Sequence, residues 1–314
     1  MPDIKCDIII PVWNEYELTK KCVESIEKNT ALSYRIILVD NASDAQTAAY
    51  LKELSEKDPA VVTLIRNEEN LGFPKAVNQG IAVSIAPYVC ILNNDTEVYP
   101  GWLEEMIKIA EINPGIGIVN PSSNNTGNPE PLNGFSGKYI AVSSCIGFCM
   151  LIKRDVIDKI GRFDEIFSPG NFEDTDFSRR AVKAGYKCAI AQGAYVYHAQ
   201  NTGFKKIKGR DEKFKRNLDI FNKRWGRIKR IAYIVKDLKK DKIGALEKAV
   251  RDLLDKGHWV YVFIKKDSVK PVLENHGSLR IFEIGKFMFD VKVFWKIFSR
   301  KKKFDEVFKG YGKK

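Results

Sequence analysis

Four short apolar runs, at residues 7–12, 35–39, 61–65 and 88–92, alternate with segments of helical spacing. This alternation restricts the fold more than any other feature of the chain. Strands that alternate with helices pair in parallel through right-handed crossovers, which builds a twisted, mainly parallel sheet. In the first intervening segment Leu18, Cys22 and Ile26 share one helical face behind Asn14, a helix-capping residue. In the third, Pro74 suits a first helical turn, and Ala76, Gly80 and Ser84 are small residues four apart, so this helix can lie close to the sheet. The runs stop in polar residues, among them Asp40-Asn41-Ala42-Ser43-Asp44, Arg66-Asn67 and Asn93-Asn94-Asp95-Thr96-Glu97. Ligands of open α/β sheets sit outside the carboxyl ends of the strands. Alone, the stretch from Tyr88 to Val98 reads equally well as a turn, because Asn and Asp form turns. Four runs ending on one edge favour a nucleotide-binding α/β domain.

Further along, 116–119 reads as a strand, and 121–137 as a long Asn-, Pro-, Gly- and Ser-rich loop of the kind that forms lids or binding loops. The apolar run 145–152 is strand-like, and its Gly147 would let a ligand approach the backbone. An acidic helix entry follows at 172–181, then strand-like pieces at 187–191 and 194–197, then His198. Alone, Glu173, Asp174 and Asp176 fit a first helical turn, and His198 fits a hydrogen-bonded structural histidine. Trp13 and Trp102 read as packing residues. The six cysteines show no zinc-ligand spacing and lie among apolar neighbours, as buried thiols of a reducing cytoplasm do. No apolar run reaches the length of a membrane span, and the first residues show no signal-peptide pattern.

Charge is uneven. Residues 1–200 hold 19 Lys+Arg and 26 Asp+Glu, and residues 201–314 hold 33 and 14, a swing from −7 to +19. Such a basic part suits an anionic membrane, a phosphate-rich substrate, nucleic acid, or a solvated lysine-rich surface. No nucleic-acid recognition motif accompanies it.

Taken in order, the motifs up to about Gly226 resemble the family 2 inverting glycosyltransferases, which have the GT-A fold. They are Ile10-Pro11-Val12-Trp13-Asn14-Glu15, Val39-Asp40-Asn41-Ala42-Ser43, Asn70-Leu71-Gly72-Phe73 with Asn78 and Gly80, Leu92-Asn93-Asn94-Asp95-Thr96-Glu97, Gly161-Arg162-Phe163-Asp164-Glu165, Glu173-Asp174-Thr175-Asp176, and His198. The Asn-Leu-Gly-Phe segment looks most like the rhamnosyl- and galactofuranosyltransferase-like branch. The resemblance implies that Pro11, Asn14, Asp40 and Ser43 line a nucleoside pocket, with Asp40 accepting hydrogen bonds from the base. It implies Gly72, Lys75, Asn78 and Asn94 beside the donor nucleotide, Asp95 and His198 as ligands of a divalent cation (Mn or Mg), and Asp174 as general base. Asn93 departs from the pattern, which usually carries aspartate there; its amide would reach the metal weakly or through water. Lys205, Lys206 and Arg210 would close over the diphosphate or form a solvated loop.

The implied activity is metal-dependent, inverting transfer of a hexosyl or deoxyhexosyl group. The donor would be a UDP- or dTDP-sugar, and the acceptor a hydroxyl of a glycan, polysaccharide or lipid-linked sugar. The work would be cytoplasmic, with peripheral contact at the inner face of a membrane. Two other functions stay open: a non-catalytic sugar-nucleotide scaffold, suggested by Asn93, and a nucleotidyltransferase, although no glycine-rich phosphate loop follows Val12.

The expected boundaries are a GT-A domain at 1–226, closed by a helix at 211–225, and a basic α/β segment at 227–314. In the latter, strands at 231–235, 259–264 and 279–282 and a helix at 244–256 give a Rossmann-like start, loosely similar to GT-B enzymes. Eighty-odd residues are few for a full domain of that kind, so a fragment and a small appendage both fit. Phe287, Val291, Phe294, Trp295 and Phe298 form an apolar stripe among Lys292, Lys296 and Arg300. Packing against the preceding strands is the plainer expectation for this stripe; lying on an anionic bilayer is the other.

Overall fold

The computed structural model describes residues 4–127, 130, 136–200 and 209–310. The chain divides into two compact units, one of residues 1–140 with 144–224, the other of 141–143 with 225–314.

The first unit runs β1 (Cys6–Val12), α1 (Tyr16–Asn29), β2 (Tyr34–Asp40), α2 (Ala45–Lys57), β3 (Val62–Arg66), α3 (Phe73–Val83), β4 (Tyr88–Leu92), β5 (Thr96–Val98), α4 (Trp102–Ile112), β6 (Ile116–Ser122), β7 (Tyr139–Val142), β8 (Cys149–Lys153), α5 (Arg154–Ile160), α6 (Glu173–Lys183), β9 (Lys187–His198) and α7 (Arg210–Trp225). The main sheet has the order β3-β2-β1-β4-β8-β6-β9-β5, with β7 on β9. Pairing is parallel from β3 to β4, antiparallel where β8 enters against β4 and β6, parallel again between β6 and β9, and antiparallel between β9 and β5. The sheet is therefore mixed.

Covered on both faces, β1 is a continuous apolar run, as central parallel strands are; Ile8, Ile9 and Ile10 are fully buried. Each contributes about 1.5–3 kcal/mol of transfer free energy. Asp7 is the polar exception in this strand. It accepts hydrogen bonds from Arg35, from the Ser84 hydroxyl and from the Ile85 and Ala86 N–H groups, at 2.8–2.9 Å. Burial works against its ionisation, but these donors win and hold its pKa below the ordinary value. Gly80 lets α3 lie on β1, because a Cβ there would collide with Ile9.

Two strands differ from expectation. The run 145–152 pairs only from Cys149 onward. Before that, side chains take the backbone groups a sheet would use. Asn120 accepts from the Ile146 N–H at 2.7 Å and Ser178 from the Cys145 N–H at 3.0 Å. Asp174 takes the Gly147 N–H at 3.0 Å. With those groups satisfied, the segment has no need of a ladder. The pieces at 187–191 and 194–197 are one strand, β9, whose register jumps between Ala191 and Tyr195. The bulge redirects β9 from β6 onto β5, where His198 pairs opposite Thr96.

The second unit runs β10 (Arg230–Val235), α8 (Ile243–Asp255), β11 (Trp259–Lys265), β12 (Leu279–Ile284), α9 (Phe289–Phe298) and β13 (Glu306–Lys309). Its four strands are all parallel, in the order β12-β11-β10-β13; the fourth was not expected from the sequence. Leu246, Val250 and Leu254 of α8 fill one face of this sheet, and Phe289, Val293 and Ile297 of α9 fill the other. The packing stripe expected on α9 is thus corrected. Phe287, Val291, Phe294, Trp295 and Phe298 are exposed, and the residues between them make the core.

Candidate active site

The carboxyl ends of β1 and β4 open onto a cavity of about 450 Å³. Pro11, Trp13, Gly72, Asn94, Asp95 and His198 are among its walls. A second cavity of about 350 Å³ adjoins it and contains Glu173 and Asp174. Phe73, Asn93, Ile146, Phe148 and His198 line both. Asp95 and Asp174, 79 positions apart, therefore face neighbouring chambers with one common wall.

The bulge in β9 sets that wall. His198 Nε2 lies 3.3 Å from Asp95 Oδ1. Its ring stacks on Phe148, centroids 4.9 Å apart and planes within 10°. Its backbone N–H and C=O both bond the Asn124 amide at 3.0 Å. One ring edge is thus aimed at the carboxylate while the face is fixed by an aromatic neighbour.

Asp174 sits in the first turn of α6. Its carboxylate accepts from the Gly147 N–H at 3.0 Å, and from the Thr175 N–H and hydroxyl at 2.6 and 3.1 Å. Burial still outweighs these bonds and raises its pKa above the ordinary value. That direction suits a group that must take up a proton. Beside it Glu173 is buried with Oε2 unpartnered, and burial, then the neighbouring Asp174 charge, push its pKa well up. Asn171 and Phe172, just before this turn, have φ of 75° and 74°. Asn14 and Glu15, beside the first cavity, have φ of 61° and 65°. Left-handed backbone at non-glycine residues costs free energy and clusters at functional sites.

Helix α7 anchors the approach to Asp174. Asn217 Nδ2 donates to the carbonyls of Phe167 and Gly170 at 2.6 and 2.9 Å. Arg224 bonds Asp176 and Asp164 at 2.7 and 2.8 Å. Asp176, fully buried and also held by Arg180, is a structural ion-pair partner.

Several residues assigned to the donor stand behind the wall or away from it. Asp40 is buried, its oxygens engaged by the Ser43 N–H and by Arg66. The Ser43 hydroxyl accepts from the Asn14 N–H at 2.9 Å, and Asn14 Oδ1 accepts from the Asp44 N–H at 2.7 Å, which ties the loops after β1 and β2 together. Asn78 lines neither cavity. Its amide is used by both backbone groups of Phe163 and by Glu165 at 2.9–3.0 Å, so it fastens α3 to the 163–165 turn. Lys75 is exposed and also off both cavities. Gly72 does line the first cavity: with φ +83° and Pro169 Cα 2.7 Å from where a Cβ would sit, only glycine fits. Trp13 belongs to this wall, whereas Trp102 is core. Lys205 and Lys206 lie outside the described residues; Arg210 is exposed and bonds Asp211. Sequence reasoning missed Phe148 and Phe73, whose apolar character gave no signal of a wall position.

Asp95, His198 and Asn93 supply one carboxylate, one imidazole and one amide at the same wall. Among the described residues no group of three or more His, Cys, Asp or Glu could hold a metal ion. This donor set fits a divalent cation whose remaining positions are filled by phosphate oxygens and water, as Mg²⁺ commonly is.

The mixed sheet, with its crevice at the carboxyl ends of the parallel half, is a GT-A-like fold. The solved structure of GalNAc-T7 with UDP, GalNAc and Mn2+ has that fold, at a TM-score of 0.56 and 15% identity over 70% of this chain and 48% of that one. Residues 7–161, just under half of the chain, match the model of glycosyl transferase family 2. Protein y4gI of Sinorhizobium fredii is 26% identical over 251 residues, 69% of this chain and 27% of its own length. The amylovoran biosynthesis glycosyltransferase AmsB of Erwinia amylovora is 26% identical over 232 residues, 68% of this chain and 76% of its own length. The chain thus spans about a quarter of the first relative and most of the second.

Proposed function

We propose that this chain transfers a hexosyl or deoxyhexosyl group from a nucleoside-diphosphate sugar to an acceptor hydroxyl, with inversion. The observation that carries the reading is the shared wall: the Asp95–His198 pair faces one chamber and Asp174 the next. The donor nucleotide would occupy the larger cavity between Gly72 and Asp95, with Asp40, Asn14 and Ser43 shaping it from behind. A divalent cation, Mn or Mg, held by Asp95 and His198 with Asn93 nearby, would act as a Lewis acid on the diphosphate. Asp174 would take the acceptor proton as general base, and one displacement opposite the leaving group inverts the anomeric centre.

UDP- and dTDP-sugars are the favoured donors, and UDP is the nucleotide in the GalNAc-T7 structure. The Asn70-Leu71-Gly72-Phe73 segment, whose Gly72 and Phe73 line the cavity, is what favours the rhamnosyl- and galactofuranosyltransferase-like branch. A glycan or lipid-linked acceptor accords with the polysaccharide role in the AmsB name. A cytoplasmic setting is supported by six free, buried cysteines.

Calorimetry with UDP- and dTDP-sugars tests the assignment. Asp95→Ala should abolish the cation-dependent part of donor binding. The acid limb of the wild-type rate profile should stand above the ordinary aspartate range of about 3.9, since Asp174 must be ionised to act and burial raises its pKa. Donor binding indifferent to both cation and Asp95→Ala would overturn the reading.

A further inference from the structure

Helix α9 carries two apolar faces. One, with Phe289, Val293 and Ile297, completes the core of the second unit. The other is open: Phe287, Met288, Val291, Phe294, Trp295 and Phe298 are all exposed, Phe287 at 79% and Trp295 at 66%. A helix apolar all round is normally buried all round, and a contiguous apolar patch on a surface marks an interaction site. The Phe294 and Phe298 rings are in contact, centroids 4.2 Å apart and planes tilted by 34°, so these two side chains form one aromatic surface.

The charge around it selects the occupant. From Lys286 to Lys303 seven Lys and Arg stand against one acid, Asp290, which is itself paired with Lys236. Lys296 and Arg300 lean over Phe282, at 5.4 and 5.2 Å from its ring, and so border the aromatic face without covering it. Lys292, Lys301 and Lys302 are exposed. Two copies meeting over this face would bring like charges together, whereas an anionic surface would meet both the cations and the aromatics. With ten residues, α9 extends about 15 Å, half the hydrocarbon thickness, so it cannot span a bilayer.

We propose that α9 docks the protein on an anionic lipid bilayer, lying in the interface plane with its outer aromatic face among the headgroups and acyl boundary and the cations of 286–303 over the lipid charge. The docking is independent of the sugar-transfer reading, because no residue of the two cavities takes part in it.

Sedimentation of the full chain with phosphatidylcholine vesicles, with and without phosphatidylglycerol, tests the proposal. The protein should pellet with the anionic vesicles and stay in solution with the neutral ones, and high salt should release it. The double variant Trp295→Asp/Phe298→Asp should weaken vesicle binding by at least about tenfold. It should keep the wild-type melting curve and donor affinity, since both side chains point away from the core. Should it fail to fold, Lys301→Glu/Lys302→Glu/Lys303→Glu gives the same test through charge. Equal sedimentation with both vesicle types would overturn the proposal, as would variants that bind anionic vesicles like the wild type. So would a concentration-dependent dimer that Trp295→Asp/Phe298→Asp dissolves while anionic vesicles leave the wild type in solution.

Discussion

In both units the first parallel strand lies inside, its second and third partners to one side and its fourth to the other: β3-β2-β1-β4 in one, β12-β11-β10-β13 in the other. The carboxyl ends of the two sheets nevertheless differ in chemistry. In the first unit β2 ends in Asp40, paired with Arg66 at the end of β3, and Asn93, Asn94 and Asp95 follow β4 on the wall of a cavity. In the second, Lys236 follows β10, Lys265 ends β11, Lys286 follows β12 and Lys309 ends β13. Lys265 is paired with Asp237 at 2.9 Å. Topology decides which edge is available to a ligand, and the residues at that edge decide what it can do. The first unit also gains antiparallel strands beyond β4, and these deliver His198 and the wall around Asp174. Among the described residues the second has four strands and no such extension.

The sharpest way to break this contrast is by rate. Asp174→Asn should lower sugar transfer by about 10²–10⁴-fold, the range for losing a general base, while calorimetry shows donor binding intact. The triple variant Lys236→Ala/Lys265→Ala/Lys286→Ala should leave transfer to a soluble acceptor within about twofold, as expected of residues that line neither cavity. A triple variant as inactive as Asp174→Asn would erase the division of labour.

Stability offers the next contrast. Asp7→Ala should cost the first unit about 3–5 kcal/mol, because Arg35 would lose its buried partner. Two-probe denaturation, reading a tryptophan of each unit, should show only the first transition moving. Since the folded pKa of Asp7 is depressed, its contribution is fully present above the unfolded value of about 3.9 and is lost as pH falls through the folded one.

The smallest effect belongs to Glu173→Gln. Its folded pKa is raised, so the native state holds a proton that the unfolded chain releases, and wild-type stability falls as pH rises from about 4.3 toward the folded value. The amide removes that slope. The variant should match the wild type in acid and melt higher at neutral pH, by about 2–4 °C per kcal/mol recovered.

Much of the first unit was legible because its central parallel strands are buried on both faces and so read as nearly unbroken apolar runs. The strand ends were legible for the same reason: polarity begins abruptly where the sheet stops. What stayed hidden depended on distant partners. The role of Asn78 is set by Phe163 and Glu165, 85 and 87 positions away. The strand-like look of 145–148 gave no hint that Asn120, Ser178 and Asp174 would take its backbone groups. In α9 both sides of the helix are apolar, and periodicity cannot tell which one faces the sheet. Short, half-exposed β13 has too few buried residues to leave a pattern.

The jump in β9 has a consequence for how this protein can change over time. Tyr195, Val196, Tyr197 and His198 follow the bulge as regular strand, so neighbouring side chains alternate in direction. One residue gained or lost within that tetrad would turn the imidazole to the opposite side of the sheet, away from Asp95. Within the tetrad, length can therefore change only in pairs: the spacing of the Asp–His couple is guarded by parity.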